Sequence, residues 1–179
     1  MRGYIHGFII GIVSFISISP ATYADVLPEA DMQFYGTLVA DPCTVAPEDT
    51  DITLEFDQII DKYLYLNTRT HSRPFTIHLI DCDVEGGETV ITHFEGVESS
   101  ELPGYLAMAD ITTGAAVGIT EDDDTFLGLN KDSRPVVLSD GSVALNFKAF
   151  VEGEPTAIKN ETIKLGEFTA TATFFLEYP

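Results

Sequence analysis

Cys43 and Cys82 are the two cysteines of the chain, and as thiolates they can bridge to one another or bind a soft metal. A tetrahedral zinc site needs four ligands, and two cysteines without C-x-x-C spacing fall short of that. An even cysteine count in an exported chain favours a disulfide, here closing a loop of about 40 residues. His71, His78 and His93 are scattered, without the H-E-x-x-H spacing that sets two imidazoles on one helix face. Glu121-Asp122-Asp123-Asp124 is acidic enough to suggest calcium. An EF-hand loop, however, needs acids at alternate positions, a central glycine and a distant glutamate, so this run reads as a solvated loop. The nucleophile elbow G-x-S-x-G, the Walker A loop and G-x-G-x-x-G are all absent. Paired carboxylates discriminate nothing in a chain whose 29 acidic residues always supply pairs. No catalytic residue, metal site or cofactor is expected.

The oxidising context for a disulfide comes from the start of the chain. Met1–Ala24 has a short head with Arg2 and His6, then the eleven-residue stretch Phe8–Ile18 rich in apolar residues, then Pro20 and small residues. Spanning a bilayer takes about 20 apolar residues, so this is a signal peptide rather than a membrane anchor. Cleavage is expected after Ala24, with Thr22 at the −3 position, or after Ala21, with Ser19 there. The whole sequence of 179 residues has a formal net charge of −20, and 29 acidic residues face 8 basic ones after the signal. Nucleic-acid binding and polybasic membrane anchoring both require clustered Lys and Arg, so neither fits. The whole sequence is 45% hydrophobic and 11% aromatic, ample material for one packed domain, and no membrane insertion of the mature chain is expected.

The elements that would carry this core are strands. Period-2 alternation runs through Met32–Val39, Phe75–Leu79, Thr89–Phe94, Val143–Phe150 and Phe168–Tyr178. Turn signals separate them at Asp41-Pro42, Gly86-Gly87, Pro103-Gly104, Asp140-Gly141 and Gly153 to Pro155, the pattern of an all-β sandwich or barrel. Asp57–Leu66 is the one stretch with helical character. The last strand sets Gly166, Phe168, Ala170, Ala172, Phe174, Leu176 and Tyr178 on one face and Glu167, Thr169, Thr171, Thr173, Phe175 and Glu177 on the other. Pro179 follows directly, so this strand is expected to take a neighbour from another molecule. The complementary object is residues 25–38, where Met32, Phe34, Gly36 and Leu38 alternate with Gln33, Tyr35 and Thr37. One reading makes Met32–Val39 the first strand of the chain's own sandwich. The other makes it a strand built to enter another molecule's sheet.

The sequence resembles the pilin subunits of chaperone–usher fimbriae of Gram-negative bacteria, across nearly all of residues 30–179. The matching pieces are Phe34-Tyr35-Gly36 leading to Asp41-Pro42-Cys43, and Pro74 to Leu79 closing on Cys82. Phe94-Glu95-Gly96, Leu102-Pro103-Gly104 and Val117-Gly118-Ile119 come after them. At the end stand Gly166, fourteenth from the C-terminus, and the penultimate Tyr178, which together fit the family's chaperone-recognition pattern. Phe94 to Gly104 looks most like the K-type adaptor of P-pilus-like tip fibrillae. The resemblance implies an incomplete immunoglobulin-like β-sandwich lacking its final strand and completed by donor-strand complementation. It further implies a signal peptide 1–24, a donor extension 25–38 and a pilin domain 39–179. Met32, Phe34, Gly36 and Leu38 are then the donor strand. Gly166, Phe168, Ala170, Ala172, Phe174, Leu176, Tyr178 and Pro179 form the acceptor edge that a periplasmic chaperone binds, holding the Pro179 carboxylate with basic residues. An outer-membrane usher and neighbouring pilins complete the implied partners, and the implied destination is the cell-surface fimbria.

A structural subunit supporting adhesion, of the minor or adaptor kind, is the expected role. Its rivals are a glycan-binding adhesin, a major shaft pilin and a terminator. A two-domain adhesin carries a receptor domain ahead of the pilin domain, whereas only a short extension is expected ahead of Cys43. Gly114–Gly118 together with Glu121–Asp124 is expected to form a long acidic loop contacting neighbours.

Overall fold

Alternating side chains build strands with one buried face, and three of the alternating runs in the sequence lie within strands here. The computed structural model describes residues 32–36, 41–84, 86–110 and 113–179. The signal 1–24, the lead-in to Asp31, Leu38 and Val39 lie outside the described residues. The chain divides after Leu38, and each part is described by itself.

From Asp41 onward the strands are β1 (Thr44–Val45), β2 (Arg73–Cys82), β3 (Thr89–Gly96), β4 (Leu106–Ala107), β5 (Ala115–Glu121), β6 (Phe126–Leu127), β7 (Val136–Val137), β8 (Gly141–Gly153) and β9 (Ala172–Glu177). Two short helices, α1 (Asp61–Asn67) and α2 (Pro155–Asn160), join them. One sheet has the order β1-β2-β8-β5-β4 with β6 on β5; the other is β7-β3-β9. Every pairing is antiparallel. The expected strands Phe75–Leu79, Thr89–Phe94 and Val143–Phe150 lie within β2, β3 and β8.

The core lies between the sheets. Ile77 and Leu79 of β2 and Leu145 and Phe147 of β8 are buried in it with Val90 and Phe94 of β3. The Phe94 ring stands edge-on to Phe147 at 5.1 Å, a favoured aromatic geometry. Burying each of these side chains contributes about 1.5–3 kcal/mol.

Four expectations need correction. The long acidic loop is absent, because Ala115–Glu121 is a strand buried along its whole length. A central strand covered on both faces shows a continuous run rather than alternation, and A-A-V-G-I-T reads that way. Gly118 lets it pack closely, since a Cβ there would sit 2.4 Å from the Phe150 ring. Of the acidic run, Glu121 ends β5 and is buried, whereas Asp122, Asp123 and Asp124 are exposed in a turn, as the solvated reading expects. Asp124 N–H donates to the Glu121 carbonyl at 3.0 Å in a tight turn. The buried Glu121 carboxylate accepts from the Arg134 backbone at 2.7 Å and from its guanidinium, which also lies 2.8 Å from Asp123. Lys148 pairs with Asp124 at 3.2 Å.

The helical stretch begins only at Asp61, and Asp57 ahead of it takes a left-handed φ of +53. The last ladder covers Ala172–Glu177 rather than Phe168–Tyr178, because its partner β3 ends at Gly96 opposite Ala172. Residues 32–36 form no strand.

Candidate functional site

The site begins where β1 stops. Thr44 and Val45 pair with Ile80 and Leu79, and Ala46 N–H then donates to the His78 carbonyl at 2.8 Å. A 3-10 turn, Pro47–Asp49, interrupts the ladder. The Asp49 carboxylate receives the His78 backbone N–H at 2.6 Å, with the His78 ring Nδ1 2.7 Å from the same oxygen. The donor that a longer β1 would have used is thereby taken, and the chain leaves the first sheet. The backbone hydrogen bond from His78 is the main reason the Asp49 carboxyl sits below its ordinary range.

Past Asp49 the chain runs extended but joins no ladder. Ile52, Leu54 and Phe56 are half-buried against the core, while Asp51, Thr53 and Glu55 are exposed. Among the described residues, no backbone–backbone hydrogen bond joins 51–59 to another segment. The last strand repeats this condition from the other side. Phe168, Ala170, Ala172, Phe174, Leu176 and Tyr178 are half-buried against the core, and the residues between them are exposed. β9 spends one edge on β3 and has no partner on its other edge among the described residues. The two segments meet at Phe56 and Phe168, whose ring centroids are 6.3 Å apart. A free strand edge beside half-covered apolar side chains is the kind of surface to which a further strand can add.

Beyond Phe56 the surface opens into a cleft of about 400 Å³ lined by Ile59, Ile60, Tyr63, His71 and Arg73. Its rim is held by the Arg73–Asp57 ion pair and by a 3.1 Å contact between Tyr63 Oη and His71 Nε2. At the far end of β9, partial burial raises the Tyr178 phenol above its ordinary pKa, and the nearby Asp41 charge adds to this.

Of the expected site residues, Phe168, Ala170, Ala172, Phe174, Leu176 and Tyr178 lie on one apolar face. Gly166, at the start of that segment, is exposed at φ +148, a backbone that disfavours any side chain. Pro179 is exposed at its end. Met32 and Phe34 are 77% and 85% exposed, and a Cβ on Gly36 would meet no atom within 4 Å. Leu38 is outside the described residues. Cys43 and Cys82 form the expected disulfide. The groove wall Ile52–Phe56 is absent from those expectations, although D-I-T-L-E-F alternates as cleanly as any strand in the chain.

Comparison with known proteins agrees with this geometry. Residues 32–179 match the family model "Fimbrial protein". The major MR/P fimbria protein of Proteus mirabilis is 36% identical over 148 residues, covering 82% of each chain. A putative minor fimbrial subunit of the same organism, PmfF, is 31% identical over 173 residues, covering 93% of this chain and 94% of its own. The fimbrial adapter PapK of Escherichia coli is 28% identical, covering 83% and 88%. The fold matches the P pilus rod subunit PapA at TM-score 0.68 and 22% identity, covering 78% of this chain and all of that one. The sandwich with one strand missing, the family match over most of the chain and these relatives carry one conclusion: the chain belongs to the fimbrial protein family of chaperone–usher pilins, structural subunits of Gram-negative surface fimbriae rather than enzymes.

Proposed function

We propose that the groove between residues 51–56 and 168–178 is the acceptor site for a neighbouring subunit's donor strand, and that residues 25–38 of this chain are the donor strand for its predecessor. The observation carrying this is the pair of facing extended segments, each alternating and each with an unpaired edge, that meet at Phe56 and Phe168. Met32, Phe34 and Leu38 supply side chains for such a groove and Gly36 a position of close backbone approach. The division is then a signal at 1–24, the donor extension 25–38 and the pilin domain 39–179.

Before assembly the same edge, Gly166 to Pro179, is held by a periplasmic chaperone that lends a strand, and an outer-membrane usher exchanges that strand for a neighbour's. An uncovered groove of this kind is an aggregation hazard, which is the physical reason for a chaperone. The subunit's place in the fibre is that of a minor or adaptor pilin supporting cell adhesion. The likeness to a minor subunit along most of the chain supports this, whereas the likeness to a major fimbria protein favours a shaft subunit.

Donor-strand peptides from candidate neighbours, offered to the chaperone-bound protein, test both levels. Exchange with one foreign peptide only is the adaptor result, exchange with the chain's own residues 25–38 is the shaft result, and no exchange is the terminator result. Deleting Phe174–Pro179 tests the chaperone edge. Loss of the chaperone complex is expected, and recovery of a stable complex from the truncated chain contradicts it.

A further inference from the structure

We infer that the exposed apolar side chains around α1, namely Ile60, Tyr63 and Leu66 together with Leu165, receive the globular body of the same neighbouring subunit whose extension fills the groove. The inference rests on the donor-strand reading above and adds a second contact to it. Leu66, Leu165 and Ile60 are 83%, 78% and 64% exposed. Single exposed aliphatics are ordinary, but these are grouped. Leu66 and Leu165 line one open cleft of about 550 Å³ with Tyr65 and Ile163, whose backbone N–H donates to Tyr65 Oη at 3.1 Å. Ile60 and Tyr63 line the cleft that contains the groove residue Phe56. Leu165 stands three residues before Phe168, within about 11 Å of chain, so the cleft it lines also adjoins the Phe56–Phe168 end of the groove.

Strand direction and chain length name its occupant. Every ladder among the described residues is antiparallel, and antiparallel pairing is the slightly more stable arrangement per residue. A donor strand antiparallel to β9 has its C-terminal end beside Phe168. In a donor with the spacing of this chain, the residue matching Leu38 is followed five positions on by the one matching Cys43, which here a disulfide fixes to its own core. Five residues span at most about 18 Å. The donor's body thus emerges within reach of α1 and Leu165, where apolar side chains lie uncovered.

The test is photo-crosslinking in assembled fibres, with a benzophenone amino acid placed separately at Leu66, Leu165, Thr171 and Val137. Thr171 lies on the exposed face of the acceptor edge and reports the groove strand. Val137 is an exposed apolar control on β7, at the opposite edge of the second sheet. Position 171 is expected to crosslink to a neighbour's extension. Positions 66 and 165 are expected to crosslink to the body of that same neighbour, just after its extension, and this product is lost at 137. Crosslinking at 171 with none at 66 and 165, or with products there that map only to the chaperone or usher, overturns the inference and leaves the groove intact. Loss at 171, 66 and 165 together overturns both.

Discussion

Asp49 and His78 are joined twice, by the His78 backbone N–H at 2.6 Å and by its ring Nδ1 at 2.7 Å, both to one oxygen of a carboxylate that is itself buried. This contact ends the β1 ladder and sends the chain across to form the groove's first wall. Because the folded-state pKa of Asp49 is depressed, the stability it contributes is complete above its unfolded value near 4 and is lost as pH falls through the lower folded value. Asp49→Asn is therefore expected to unfold at lower urea than wild type at pH 7, with the gap narrowing below about pH 4. A gap of the same size at pH 7 and pH 3 contradicts the role assigned to the charge.

Phe34 presents almost its whole ring to solvent within its own chain. Filling a neighbour's groove would bury it, worth about 1.5–3 kcal/mol, and an aspartate in its place adds the cost of burying a charge. Phe34→Asp is expected to leave a soluble chaperone complex and to abolish joining to the preceding subunit, read as loss of the protein from sheared surface fibres. Wild-type incorporation of the variant refutes the donor role.

The Cys43–Cys82 bridge closes a sequence separation of 39 residues between the start of β1 and the end of β2. Restricting the unfolded chain by such a loop is worth about 3–4 kcal/mol. Replacing both cysteines by alanine is expected to lower unfolding stability by that order, and unchanged urea midpoints for the double variant would show the bridge to be dispensable.

Legibility in the sequence followed burial. β2, β3 and β8 are half-buried strands, so their alternation marks them directly. β5 is buried along its whole length, with the rings of Tyr105 and Phe150 packed on Gly118, so A-A-V-G-I-T carries no alternation and resembles part of a loop. The acidic run is legible as an exposed turn but not in its pairing. The sequence shows the charge of Glu121, Asp123 and Asp124 but not that Arg134 and Lys148, remote along the chain, fold back to pair with them. The acceptor edge is readable from its last strand because that strand's alternation extends past its ladder. Its opposite wall is readable in D-I-T-L-E-F too, yet only the Asp49 contact explains why those residues leave the first sheet to face Phe168.

The central claim is that residues 51–59 and the free edge of β9 await a strand from another molecule. Amide hydrogen exchange on assembled fibres, compared with the subunit alone, tests it most directly. Amides within 51–59, which have no backbone partner among the described residues, are predicted to become strongly protected in the fibre, and the 168–178 segment to gain protection with them. Amides of 51–59 that exchange as fast in the fibre as in the isolated subunit would contradict the claim that this groove is where neighbouring subunits join.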